Sequence, residues 1–317
     1  MLKFISKRIV LSVGLFLILT FVLFIMLSFL PSYADNEISS HIQEYGSITK
    51  EQELSYKAQY GLDSPVVTRY VKWVKSLFAG TWSYTFTNRS TTVLSVIQVK
   101  IGETLILMSS ALIVGVVIAI PLGMLAAVKP GGIADNIANV VTFIGVSLPG
   151  FIIAIFLIYI FSARLNILPS MVLVTSKYPY AVQMILPVVC VSLHIVGPVV
   201  KQVRGSMLDV MNAEYIKTAR SKGISERRVI FKHVFRNATI PVTTQIGLSV
   251  PMLVGGSVVV EQIFTINGIG RTLVVAINSP SDIPVVMGIV TIQVLVVLVV
   301  NLSLDIIYTL LDPRVAY

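Results

Sequence analysis

Six stretches of this chain are apolar for long enough to cross about 30 Å of hydrocarbon, which takes about 20 helical residues each. They are Ile9–Leu30, Thr104–Val128, Ile137–Ser162, Ala181–Val203, Ala238–Phe264 and Pro284–Tyr308. No other feature limits the fold as severely. An isolated strand could not satisfy its backbone groups in lipid, so each stretch is predicted to be a helix. Only 12% of the residues are charged, about half the share of a soluble domain. The predicted fold class is an all-α polytopic membrane protein with six transmembrane helices. Residues 1–30 read as an N-terminal anchor, 31–99 as an extramembrane segment and 100–317 as the transmembrane core, with no linker or internal repeat. Lys3, Lys7 and Arg8 precede the first stretch, and Ser32-Tyr33-Ala34 loosely resembles a signal-peptide cleavage site. The apolar run exceeds the about 7–15 residues of a signal h-region, which favours a retained anchor.

Lysine and arginine set the expected orientation. With the N-terminus inside, Lys3, Lys7, Arg8, Lys129, the nine cations from Lys201 to Arg236, and Arg314 are cytoplasmic: fourteen of twenty-four. The short external loops hold Arg164, Lys177 and Arg271. The others, from Lys50 to Lys100, lie in or beside one long segment that counts little in the positive-inside rule. Both termini are thus predicted to be cytoplasmic, with a large external segment between helices 1 and 2. The formal charge of +9 follows from this topology and does not point to nucleic acid. A single cysteine, Cys190, excludes an intrachain disulfide.

The external segment is too long for a connector. Helical spacing predicts a short helix around Glu51–Tyr60, a turn over Gly61–Pro65 and a second helix over Val66–Phe78. Its recurrent rings, Trp73 and Trp82 among them, fit either an aromatic belt at headgroup level or a small folded cap that meets a partner. The cytoplasmic loop, residues 204–237, is polar and basic. Met207, Met211, Tyr215 and Ala219 share one i, i+4 row, with Leu208 and Ile216 beside it, which predicts a short amphipathic helix. Gly223 follows as a left-handed C-cap. Ser225 is placed to cap a second helix that starts at Glu226 and runs into the fifth span. Arg227 and Arg228 oppose that helix's dipole, so an external attraction is expected, either acidic lipid or an acidic partner surface.

The run Ala213-Glu214-Tyr215-Ile216-Lys217-Thr218-Ala219-Arg220-Ser221-Lys222-Gly223, followed by His233, Arg236-Asn237-Ala238 and Pro241, resembles the coupling loop of ABC-importer permeases. More narrowly, the chain is similar to the first permease subunit of the dipeptide/oligopeptide (and nickel) family. Further matches are Tyr60–Pro65, Ser147-Leu148-Pro149-Gly150, Glu261–Phe264, Asn267–Arg271, Asp282-Ile283-Pro284 and Leu311-Asp312-Pro313-Arg314. Two stretches depart from the family pattern: Pro31–Asp35 replaces a Pro-Gly-Asp-Pro-like turn, and Thr265-Ile266-Asn267 replaces an aromatic-proline pair.

The resemblance implies a cytoplasmic coupling helix between helices 4 and 5, roughly Leu208–Ser221, laid in a groove of an ATPase subunit. Glu214, Tyr215, Thr218, Ala219, Arg220, Lys222 and Gly223 are its candidate coupling residues; an i, i+3 pair of Glu214 with Lys217 is the alternative use of that carboxylate. It also implies a second permease, two ATPase subunits carrying ATP and Mg, an extracytoplasmic binding protein, and a bacterial or archaeal plasma (inner) membrane. The chain itself has no phosphate loop and no cofactor is expected in it. Receptor-facing candidates are Asp63, Trp73, Trp82 and Asp282. The cargo implied is di- or oligopeptides, with nickel or a metal–chelator complex as the alternative.

The pathway is less legible. Pro121, Pro149, Pro187, Pro198 and Pro251 are expected to interrupt spans. Ser147, Ser192, His194, Gln245, Gln293 and Asn301 either line a path or serve as polar helix-packing groups. Glu103, Glu261 and Asp305 are expected to reach water near span ends, leaving His194 as the one ionisable residue at mid-span. A secondary transporter would couple through intramembrane carboxylates, which the spans lack at mid-depth. Ser192 and His194 are two residues apart and face different sides of a helix, so no catalytic pair forms. His41, His194 and His233 fall at different depths or sides, so no metal site is expected.

Overall fold

A computed structural model describes residues 2–31, 33–88, 90–278 and 282–311. The expectations resting on Ser32, on Arg314 and on Asp312-Pro313-Arg314 lie outside these residues. Helices dominate, and among the described residues no strand forms beyond one isolated bridge, Tyr84 to Thr92. The chain divides into two compact units. One comprises Leu105–Ile266 with Val299–Tyr317, the other Leu2–Thr104 with Asn267–Leu298.

The second unit begins with α1 (Leu2–Ser28), whose apolar span is almost entirely exposed, as a helix lying against lipid is. Three helices follow: α2 (Tyr33–Tyr45), α3 (Lys50–Gln59) and α4 (Val66–Phe78). The spacing had indicated α3 and α4; α2 was not foreseen. A capping box starts α3, with Gln52 N donating to Thr49 Oγ1 and Thr49 N donating to Gln52 Oε1. Tyr70 of α4 packs edge-on against Phe21 and Phe24 of α1 and hydrogen-bonds Thr20 at 3.0 Å. The helix α5 runs Val93–Val128, so Val93–Val99 is helical and not part of a loop. Two more helices are α13 (Ile269–Asn278) and α14 (Ile283–Leu311). Leu27, Trp73, Val93, Ile97, Ile269 and Val286 join in this unit's core.

The first unit is organised around the helix from Ile185 to Met211. Preceding it are α6 (Ile133–Ser147), α7 (Gly150–Leu157), a π-helical turn (Ile158–Arg164) and the short α8 (Tyr180–Gln183). The central helix is α9 (Ile185–Met211), which buries Leu186, Ile195, Val199, Val203 and Met207 against neighbours that include α6 and α12 (Arg236–Ile263). Gly145 makes the α6–α9 contact possible: a Cβ there would lie 2.2 Å from the Leu193 carbonyl oxygen. Small residues at such crossings let helix backbones approach, the main packing device within lipid.

Among the described residues five helices are long and apolar enough to cross a membrane, and α6 with α7 makes a sixth if that pair is one span. The pair bends by 116°. The third predicted span is therefore broken. Pro149 disfavours the helical conformation at Leu148, which adopts φ −92°, ψ 129°. The other prolines behave differently from expectation. Pro121, Pro198 and Pro251 lie inside continuous helices, and Pro187 sits in the first turn of α9, where a missing N–H costs nothing. Inside a packed helix bundle, neighbouring groups can re-satisfy the backbone that a proline frees, so the local preference loses.

Candidate functional site

The loop between the fourth and fifth predicted spans lies wholly in the first unit. Here α9 does not stop at Leu208 but continues to Met211. Asn212 ends it, Ala213 turns extended at φ −70°, ψ 143°, and α10 (Glu214–Ser221) starts anew. That break shifts the helical phase, so the expected row through Met207, Met211, Tyr215 and Ala219 does not persist. Ile216 and Ala219 are the buried pair of α10, whereas Tyr215 is 50% exposed. Glu214, Thr218, Arg220 and Lys222 are exposed as well. A helix of eight residues is marginal by itself; burial of Ile216 anchors this one.

The end of α10 is a Schellman motif. Gly223 takes φ +74°, its N–H donates to the Arg220 carbonyl at 2.9 Å, and Ile224 N–H donates to the Ala219 carbonyl at 3.4 Å. The helix stops there and the chain reverses. Across the turn Arg220 grips Glu226 with two bonds, Nε to Oε2 at 3.1 Å and Nη2 to Oε1 at 2.6 Å. The hydrogen bond that Arg220 donates to Glu226 raises its guanidinium above the ordinary range, so it stays charged at any working pH. Glu214 pairs with Lys217 at 2.7 Å, yet its side chain remains 85% exposed.

The next helix departs from expectation at its cap. Ser225 makes no side-chain capping bond; its carbonyl accepts from Arg228 N and Val229 N instead. Then α11 (Glu226–Arg228) passes into a seven-residue π-helical segment, Val229–Phe235, before α12. The π segment packs beneath α10, with Val229 and Val234 fully buried. Wider helical turns of this kind recur at functional sites. No local sequence signal marks it.

A second feature also went unread. Arg204, near the end of α9, binds Asp135 of α6 through Nε–Oδ1 at 2.7 Å and Nη2–Oδ2 at 3.0 Å, and Gly131 N donates to the same carboxylate at 2.8 Å. Asp135 is buried. This bidentate clamp fixes the end of α9 that precedes α10.

Behind the loop, α7, α9 and α12 enclose a cavity of about 280 Å³ lined by Pro149, Gly150, His194, Ser249, Met252 and Gly256 among others. Of the pathway candidates only His194 reaches it, its Nδ1 lying 3.2 Å from the Cys190 carbonyl. Ser192 is buried and donates to the Val189 carbonyl. Ser147 and Asn301 are exposed, Gln245 is half-buried, and Gln293 belongs to the other unit. Glu261, expected to reach water, is completely buried, with Phe264 and Ile266 closing that end of α12.

In the other unit the receptor-facing candidates separate. Asp63 is exposed and Trp82 half-buried. Trp73 and Asp282 are buried, contrary to their reading as outward-facing residues. Asp282 precedes α14 and accepts from Phe86 N at 3.0 Å, Thr87 N at 3.1 Å and Thr87 Oγ1 at 2.9 Å. The Asn267–Arg271 motif starts α13: Ile269 N donates to Thr104 Oγ1 at 3.0 Å, and Lys100 Nζ donates to the Asn267 side chain.

Two family profiles match the chain. One, described as "Binding-protein-dependent transport system inner membrane component", covers residues 119–317. The other, the N-terminal part of such membrane components, covers residues 1–96. Among curated relatives, the oligopeptide transport system permease protein AppB of Bacillus subtilis is 34% identical over 100% of both chains. A putative peptide permease protein of Brucella ovis is 31% identical over 99% of each. The dipeptide transport system permease protein DppB of Bacillus subtilis is 29% identical over 99% of this chain and 98% of its own. A solved structure of the MetNI methionine ABC transporter, in inward-facing conformations, matches with a TM-score of 0.55 at 16% identity, over 69% of this chain and 97% of that one. That likeness is one of fold.

Proposed function

The chain belongs to the family of binding-protein-dependent transport system inner membrane components, and from that premise we propose that it forms half of the membrane pathway of a peptide importer driven by ATP. A second permease would complete the pathway, two ATPase subunits would supply the stroke, and an extracytoplasmic binding protein would deliver the cargo. Relatives named for oligopeptide and dipeptide transport support peptides over nickel.

The observation that carries the coupling role is α10. Its Ile216–Ala219 side is buried, while Glu214, Tyr215, Thr218 and Lys222 stay exposed to a partner. In this reading an ATPase groove takes the free face, and ATP-driven closure moves α10 as a rigid piece. The Gly223 turn, the Arg220–Glu226 grip and the π segment pass that motion to α12, and the Asp135–Arg204 clamp ties the same motion to α6.

Charge distribution supports six crossings over five. If α6 and α7 entered and left by one face, the nine cations from Lys201 to Arg236 would lie opposite Lys7, Arg8 and Lys129, against the positive-inside rule. Counting the bent pair as one broken span puts all of them in the cytoplasm of a bacterial or archaeal cell.

The test is uptake and substrate-stimulated ATPase activity in the reconstituted importer. Gly223→Val forces a β-branched residue into the left-handed region, which costs about 1–2 kcal/mol locally, and Glu214→Lys reverses the most exposed charge of α10. Both variants are expected to insert normally and to lose uptake by more than about tenfold, equivalent to about 1.4 kcal/mol of coupling. Wild-type uptake in both would refute the coupling role.

A further inference from the structure

The second unit holds a cavity of about 490 Å³ whose walls include Phe24 of α1, Arg69, Lys72 and Trp73 of α4, Tyr84, and Met287 of α14. No carboxylate lines it. Arg69 is half-buried, its guanidinium carbon 5.7 Å above the Phe24 ring, and no carboxylate among the described residues pairs with it. Burying an unpaired cation is costly unless an anion arrives to meet it. Trp73 adds a buried indole N–H that has no hydrogen-bond partner among the described residues.

The walls divide by chemistry. Phe24 lies one turn before the end of α1, a helix exposed along its span, and Met287 lies in the second turn of α14, another helix apolar enough to cross a membrane. The cations come instead from α4, which is not such a helix. The cavity therefore lies where spanning helices end and polar structure begins, the depth of lipid headgroups. Arginine binds phosphate oxygens bidentately, and an adjacent lysine adds a point charge.

We propose that this cavity binds an anionic glycerophospholipid, its phosphodiester on Arg69 and Lys72 and its first methylenes along Phe24 and Met287. The apolar floor is what selects a lipid over a free anion. A zwitterionic headgroup is disfavoured because its own cation would face Arg69 and Lys72. The inference is independent of the transport reading above.

The chain has two tryptophans, so Trp82→Phe leaves Trp73 as the reporter on the cavity wall. The full chain is reconstituted in vesicles of phosphatidylcholine containing acyl-brominated phosphatidylglycerol, and in the reverse mixture with the bromine on phosphatidylcholine. Trp73 should be quenched at a mole fraction of the anionic lipid lower by about fivefold for each of the two cations. R69Q/K72Q should abolish that preference, R69K should keep it, and excess inorganic phosphate should not displace the lipid. Equal quenching by both lipids, an unchanged preference in R69Q/K72Q, or release by inorganic phosphate would each overturn the proposal.

Discussion

Gly223 and the Arg220–Glu226 pair do different jobs within a few residues of each other. The glycine sets the direction in which the chain leaves α10, because only its backbone accepts φ +74° without strain. The ion pair keeps the two sides of that turn from opening. Its side chains are 41% and 55% exposed, so it contributes under about 1 kcal/mol to stability, and its value lies in geometry. Arg220→Glu sets two carboxylates against each other and is expected to lower uptake severalfold while the protein inserts and melts as before. The exchange Arg220→Glu with Glu226→Arg should restore at least half of the loss; transport no better in the exchange than in the single variant would remove the pair from the coupling path. Gly223 was readable in the sequence because a glycine after an amphipathic turn is a local signal; the Arg220–Glu226 pair was not. Nor was Asp135, since its partner Arg204 is 69 residues away. Asp282 was misread for the same reason: the backbone that consumes its carboxylate, at Phe86, is 196 residues distant.

At the scale of elements, apolar length marked every helix among the described residues that is long and apolar enough to cross a membrane, helical spacing marked α3 and α4, and cap chemistry marked the stop of α10. Three details escaped because tertiary packing decides them. The prolines at 121, 198 and 251 do not break their helices, the phase of α10 is reset at Asn212–Ala213, and the segment Val229–Phe235 winds as a π-helix. The break at Pro149 has the largest consequence, since a 116° bend allows a crossing or a return. Sidedness decides it. In a Cys190→Ser background, cysteines at Lys129 and Lys177 should react with a membrane-impermeant reagent from opposite faces. Labelling of both from one face would make α6–α7 a re-entrant pair and reverse the orientation of everything after it.

For the molecule as a whole, the proposed function distributes a motor contact, a pathway wall and a lipid-facing anchor over one chain. In the unit that holds α10, every link from the exposed Tyr215 to α6 and α12 is a packed or hydrogen-bonded contact: Ile216 into the core, the Gly223 turn, Arg220 on Glu226, and Arg204 on Asp135. Coupling through such a chain requires an element that a partner can grip and displace. The most direct test is a photo-crosslinker at position 215 in the assembled importer, read with and without ATP. It should capture an ATPase subunit with a yield that changes on nucleotide addition, while the same probe at the buried position 216 captures this chain's own core. Active uptake with no ATPase captured from position 215 under any nucleotide condition would contradict the account.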